Sequence, residues 1–307
     1  MSRNFKDYLV IGFKGIAMGA ADVVPGVSGG TIAFISGIYE ELLGSISNIN
    51  FELFKTLRKE GFKSAWTQLN GNFLLALFIG IFISIVSLAK AIKFLLESKP
   101  ILLWSFFFGL VLASIIYIAK QITKWNFISV ILLIMGAFVA FYITTLNPLV
   151  SENSSLLFMF LAGVIAICAM ILPGISGAFI LVLLGAYKPV LTAVNDRDIK
   201  TILIVGLGAI VGLLSFSKIL KWLFANYKNY TLAVLTGFII GSLNKIWPWK
   251  ETLTWRLNSH GVKVPFNQQS ISPFSYEGDS QLLMSIILAL IGFSLILLLE
   301  KLAVKKQ

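Results

Sequence analysis

Pro25-Gly26-Val27-Ser28-Gly29 recurs in the same chain as Pro173-Gly174-Ile175-Ser176-Gly177, at an offset of 148 (173 minus 25). Each copy interrupts an otherwise apolar stretch, Tyr8 to Ile46 in one case and Leu156 to Val194 in the other. Proline lacks a backbone donor, and glycine adopts dihedrals that a helix does not use. Both stretches are therefore predicted to be broken helices. The pieces on either side are short for a full membrane crossing, the pattern of a discontinuous or re-entrant hairpin.

The correspondence continues outward from the pentapeptide. At the same offset Gly37 matches Gly185, Tyr39 matches Tyr187 and Leu43 matches Leu191. Further on the offset becomes 128 (208 minus 80), because the first half has a longer loop. Gly80 then meets Gly208, Ser87 meets Ser215, Lys90 meets Lys218, Lys93 meets Lys221, Gly109 meets Gly237 and Ser114 meets Ser242. Gly136 and Gly292 close the series. Matched order over this length is the mark of an internal repeat. The halves are drawn as residues 1–150 and 151–307, within a single membrane domain.

Six further runs are predicted to span: Phe73 to Leu96, Ile101 to Ala119, Phe127 to Leu146, Ile199 to Phe224, Tyr230 to Ile246 and Leu282 to Leu299. Their lengths suit a hydrocarbon core that takes about 20 apolar residues per helix. Each half thus contains one interrupted hairpin and three spans. A hairpin that returns to its own side, followed by three crossings, turns the second half upside down. The expected fold class is an all-α membrane protein of two inverted repeats.

Charge placement agrees with that layout. With a cytoplasmic N-terminus, the inside segments hold Arg3, Lys6, Lys55, Arg58, Lys59, Lys63, Lys120, Lys124, Lys228, Lys301, Lys305 and Lys306. The outside segments mix signs: Glu97 with Lys99, Glu152, then Asp196, Arg197, Asp198 and Lys200. The long segment from Lys245 to Gln281 also falls outside and carries Trp247, Trp249 and Trp255, residues suited to a membrane interface. An N-in, C-in topology in the membrane is expected.

Composition bounds the function. Hydrophobic residues make up 57% of the 307 and charged residues 13%, far below a soluble domain's share. The net charge of +11 is spread over short loops between apolar runs rather than one basic face, so nucleic acid is not an expected partner. Cys168 is the single cysteine, which excludes an intrachain disulfide and a cysteine-based metal site. His260 is the single histidine and lies in a polar loop, so histidine-dependent catalysis and zinc chemistry are not expected either. No metal or cofactor is implied, no Walker-type loop is present, and the first apolar stretch is expected to remain in the protein.

The breaks are the expected centre of the chemistry. A helix restarting after proline and glycine exposes free N–H groups and the positive end of its dipole. Pro25, Gly26, Ser28, Gly29, Gly30 and Thr31 would form one anion seat, and Pro173, Gly174, Ser176 and Gly177 its partner. The bland alternative is that the glycines only permit close helix packing. Lys90 and Lys93 share a helical face, as do Lys218 and Lys221, and could receive an anionic headgroup at opposite ends of the path; snorkelling to lipid phosphates is the alternative. Asp22 matches Met170 and is a candidate carrier of a coupling proton or cation, or else a cap or a partner of Lys14. Glu40, at the expected hairpin mouth, is a second coupling candidate, with a solvated position as the alternative. Thr31 matches Phe179, so the first hairpin is the more polar.

The run from Gly19 to Thr31, Gly-Ala-Ala-Asp-Val-Val-Pro-Gly-Val-Ser-Gly-Gly-Thr, with Gly37-Ile38-Tyr39-Glu40 beyond it, resembles the signature of a bacterial membrane family. The family was long catalogued as a domain of unknown function, and its members of the PopT type are regarded as polyprenyl-phosphate transporters. Leu172 to Gly177 resembles the family's second signature. The resemblance implies a flippase in the bacterial cytoplasmic membrane that returns undecaprenyl phosphate, the lipid carrier of envelope polymers, to the cytoplasmic leaflet. It implies a polyprenyl-phosphate lipid as partner, among membrane lipids. Ion-gradient coupling is the energy source consistent with the missing nucleotide loop. A small-anion or ion transporter of the same architecture is the alternative, and an enzyme is not expected.

Overall fold

The computed structural model describes residues 3–24, 27–146, 155–257 and 263–304. Pro25, Gly26, Glu152, His260, Lys305 and Lys306 lie outside the described residues, as does the expected boundary between the halves. The first hairpin is built from α1 (Phe5–Val23), α2 (Gly29–Ile35) and α3 (Tyr39–Ser47). The second is built from α9 (Leu156–Ile171), α10 (Gly177–Leu183) and α11 (Tyr187–Asn195). Both turn at a left-handed glycine, Gly37 with φ of 71° and Gly185 with φ of 74°. The axes of α10 and α11 differ by 107° across that turn.

The other long helices are α6 (Gly71–Ser98), α7 (Pro100–Lys120), α8 (Phe127–Thr145), α12 (Ile199–Ser242) and α13 (Leu282–Val304). By length and composition four helices among the described residues can cross a membrane, or five if the bent α10–α11 pair counts as one. Their outward faces are apolar: Phe82 and Val86 on α6, Phe138 on α8, Leu203 on α12 and Leu283 on α13 are exposed. An apolar surface on this scale is stable only against lipid. The chain is a multi-pass membrane protein.

The expected spans Ile199 to Phe224 and Tyr230 to Ile246 lie within α12 as two helices separated by a kink, where Tyr227 leaves helical geometry (φ −135°, ψ 43°). Two expectations change. The basic loop after the first hairpin is two short helices, α4 (Phe51–Glu60) and α5 (Phe62–Gln68), hinged at Gly61 with φ of 86°. Phe51, Phe54, Leu57 and Phe62 are exposed on them, which suits a helix lying in the membrane interface. The segment after Lys245 is not all loop, although the fold as a whole is mostly helical. After a 3-10 turn (Leu243–Ile246), β1 (Lys250–Leu257) pairs antiparallel with β2 (Lys263–Ser270). Thr252, Thr254 and Trp255 supply the β-branched and aromatic residues that favour a strand.

Close backbone packing at glycines holds the helices. A methyl on Gly15 of α1 would overlap the Leu77 carbonyl of α6, and one on Gly80 would overlap the Gly12 carbonyl. Gly163 of α9 meets Val205 of α12, and Gly208 meets Phe160, in the same way. Gly109 of α7 abuts Ala289 of α13, and Gly292 abuts Phe106. Gly237 of α12 abuts Leu133 of α8, and Gly136 abuts Val234. Each contact in one half has a counterpart at the offsets read from the sequence.

Polar contacts define two ends. At one end Arg3 holds Glu41 with two hydrogen bonds at 2.5 and 2.7 Å, Lys228 pairs with Glu40 at 2.7 Å, and Thr123 donates from its backbone to Asn229 at 3.0 Å. At the other, Trp247 lies against Phe108, and Trp249 donates through Nε1 to the Ser280 carbonyl at 2.9 Å. The helical rise along α12 sets these ends roughly 25 Å apart between Lys228 and Lys245, about a bilayer core.

Candidate functional site where two helix breaks meet

The breaks touch. α1 ends at Val23 and α2 starts at Gly29. The Gly174 amide donates to Thr31 Oγ1 at 2.9 Å, across from one half to the other. Gly174 has φ of 90°, and a side chain there would strike Ser242 and the Ile239 backbone. Ser28 Oγ donates to the Met170 carbonyl at 3.4 Å, and the Tyr39 hydroxyl donates to the Ile171 carbonyl at 3.0 Å. Those carbonyls belong to the last turn of α9, where a helix leaves acceptors without internal partners. Side chains of the first hairpin therefore complete the backbone of the second. Ser28 and Thr31 are each 1% exposed, so these bonds form in a dry setting where an unmade bond is costly.

The start of α2 does not carry the free amides that the sequence suggests. Asp22 Oδ1 accepts from the Gly29 amide at 2.7 Å, and Ser28 Oγ accepts from the Gly30 amide at 3.1 Å. A side chain on Gly29 would run into the Asp22 carboxylate. The protein's own Asp22 side chain fills the seat at the start of α2. The start of α10 differs. Met170 stands where the first half has Asp22, and Ser176 makes no side-chain capping bond. Gly177 packs against the Ala166 carbonyl and the Met170 side chain. Pro173 is buried.

The other expected site residues whose side chains are described are not brought to the breaks. Lys90 on α6 and Lys218 on α12 are exposed, and the Lys93 side chain lies outside the described residues. Lys221 is exposed and donates to Asn48 Oδ1 at 3.4 Å, at the end that carries Arg3 and Glu41. Glu40 pairs with Lys228 on the surface, so of the two coupling candidates only Asp22 stands at a break. Lys14 donates to the Ser36 carbonyl at 2.6 Å. Sequence reasoning missed the cross-half bonds of Ser28, Thr31 and Tyr39. The signal was the mismatch of Thr31 with Phe179, which makes the first hairpin the one able to give polar contacts.

A family profile described as undecaprenyl phosphate translocase-like matches residues 18–264, which include both breaks. The chain belongs to this family. A polyprenyl-phosphate transporter of Vibrio cholerae is 50% identical over 99% of this chain and the whole of that protein. A polyprenyl-phosphate transporter of Staphylococcus aureus is 33% identical over 78% of this chain and 86% of its own. These relatives of the translocase-like family are named as transporters, not as enzymes. No solved structure matches the chain. The resemblance seen in the signature residues is thus membership of the translocase-like family.

Proposed function

We propose that the protein is a flippase that carries undecaprenyl phosphate across the bacterial cytoplasmic membrane, returning the lipid carrier to envelope synthesis. The observation that carries this reading is the contact between the two breaks, Thr31 against Gly174, in a chain whose relatives are named for polyprenyl-phosphate transport. The headgroup passes Pro25, Gly26, Ser28, Gly29, Gly30 and Thr31 on one side and Pro173, Gly174, Ser176 and Gly177 on the other, while the prenyl chain stays in lipid.

The halves are inverted repeats, 1–150 and 151–307, each a re-entrant hairpin with three spans. The paired glycine contacts support this, because the α7–α13 contact and the α12–α8 contact exchange partners between halves. Alternating exposure then follows from rocking one half against the other about a fixed site. The N- and C-termini are cytoplasmic, supported by the basic residues at the end that holds Arg3 and Lys228. Lys90, Lys93, Lys218 and Lys221 contact headgroups at the flanks of the path.

Asp22 couples a proton to the cycle. Ionised, it occupies the Gly29 amide; protonated, it is a weak acceptor and yields that amide to phosphate. Glu40 acts at the hairpin mouth by exchanging with Lys228. The test is reconstitution into liposomes with a fluorescent polyprenyl phosphate in one leaflet. Transbilayer movement well above that of protein-free vesicles, and faster with a pH gradient, is expected. Movement no faster than in empty vesicles overturns the reading, and movement of small anions alone assigns the architecture to a solute transporter.

A further inference from the structure

Away from the breaks, two cations sit at the end of the protein that holds Trp247 and Trp249. Lys245 lies in the 3-10 turn after α12, and Lys250 opens β1. Both are part-buried. The Lys245 ammonium stands over the Phe179 ring of α10, 4.4 Å from its centre. The Lys250 ammonium stands over the Trp104 ring of α7, at 4.2 Å, and donates to the Lys245 carbonyl at 2.6 Å. No carboxylate lies within 4.0 Å of either among the described residues.

Two like charges drawn out of water, with aromatic faces and one carbonyl for company, are an expensive arrangement unless an anion joins them. Each ammonium has three donors, and among the described residues only one of the set meets an oxygen, that of Lys245. A phosphate monoester supplies close to two negative charges and three acceptor oxygens, which matches what the pair lacks. The location is also particular. Phe179 is in the first turn of α10, directly after the second break, and Ser242, one turn before Lys245, lies against Gly174.

We infer that Lys245 and Lys250 form a phosphate-monoester binding site next to the second break. For a lipid source it rests on the transport reading above. The site is one-sided: at the repeat offset Lys245 is matched by Tyr117, an uncharged residue. A headgroup is therefore captured from one leaflet only, the one at the Trp247 end, and the asymmetry gives the cycle a loading side.

Lysine acylation followed by mass spectrometry reads the site in the unaltered full chain, held in phosphatidylcholine nanodiscs. The probe is farnesyl phosphate, with farnesol and inorganic phosphate as comparison arms. Lys245 and Lys250 are expected to react several-fold more slowly with farnesyl phosphate present, while Lys228 at the opposite end is unchanged. Protection by farnesyl phosphate alone assigns the anion to a lipid headgroup; equal protection by inorganic phosphate assigns it to free phosphate. Protection by neither, or equal protection by farnesol, overturns the site. In binding assays Lys245→Gln and Lys250→Gln are each expected to weaken farnesyl phosphate roughly tenfold, the scale of a charge-assisted hydrogen bond, and arginine at either position to restore most of it. Wild-type protein that moves no polyprenyl phosphate overturns the transport reading. Wild-type transport with unprotected lysines, and an unchanged KM in the double glutamine variant, overturns this inference alone.

Discussion

Thr31 Oγ1 accepts a hydrogen bond from the Gly174 amide at 2.9 Å, and that bond joins the first helix break to the second. It links residues 143 positions apart, in a place where Thr31 is 1% exposed. Gly174 sits at a left-handed φ of 90°, a conformation that glycine adopts without strain.

Removing the acceptor leaves a buried N–H without a partner, which costs about 1–3 kcal/mol. Thr31→Val is expected to lower the thermal midpoint of the purified protein by that scale, and Thr31→Ser to keep most of it. Equal midpoints for the valine variant and wild type, in one detergent and buffer, would show that the bond contributes nothing.

Asp22→Asn keeps an oxygen for the Gly29 amide and removes the titration. Folding is expected to persist, as judged by gel filtration and the thermal midpoint. Transport in liposomes is expected to lose its dependence on pH, since the neutral side chain imitates the protonated carboxyl throughout. A pH profile matching that of wild type would exclude Asp22 as the coupling group.

Gly206 and Gly208 share α12 but differ in surroundings. A methyl on Gly208 would overlap the Phe160 carbonyl, whereas Gly206 faces open space. Gly208→Ala is expected to destabilise by about 1–3 kcal/mol through overpacking. Gly206→Ala should be neutral, or more stable by up to about 1 kcal/mol through helix propensity. Heat-denaturation curves of the two variants read the difference, and identical curves would mean that α9 and α12 are not tightly apposed.

Burial, with the Lys245 charge second, pushes the Lys250 ammonium down from 10.5 to about 7. The groups facing it are Lys245 and its carbonyl and the Trp104 ring of α7. The sign follows from the lowered value. The penalty for charging Lys250 is absent above 10.5, grows as pH falls, and is complete below about 7. A bound anion favours the charged form and raises the value. Reductively methylated protein should show a dimethyl-lysine carbon signal, absent from Lys250→Arg, that titrates near neutrality and moves upward with farnesyl phosphate. A signal titrating near the ordinary lysine value without ligand would refute the burial argument.

Much of the architecture was legible because lipid imposes a simple rule: apolar length makes a helix, and proline with glycine breaks it. Phe127 to Leu146 became α8 (Phe127–Thr145) almost residue for residue, and Tyr227 bends α12 between the two spans expected there. The repeat offsets could be read from residue identity alone, since small residues are what close helix contacts select. The β1–β2 hairpin was hidden, because a polar segment outside the bilayer is not bound by that rule and takes its shape from pairing and from anchors such as Trp249 on Ser280.

Tertiary structure alone decided what the breaks do. The sequence determined that two helices restart after Pro-Gly-x-Ser-Gly; it did not determine which partner each amide would find. Asp22 reaches Gly29 across the break inside the first hairpin, over 7 residues, and Thr31 reaches Gly174 because the two hairpins meet, over 143. Lys245 and Lys250 sit over Phe179 and Trp104 because elements distant in the chain pack together. Hydrophobic periodicity is local and survives in a string of letters, whereas hydrogen bonds and the desolvation of charge depend on distances that exist only once the chain has folded.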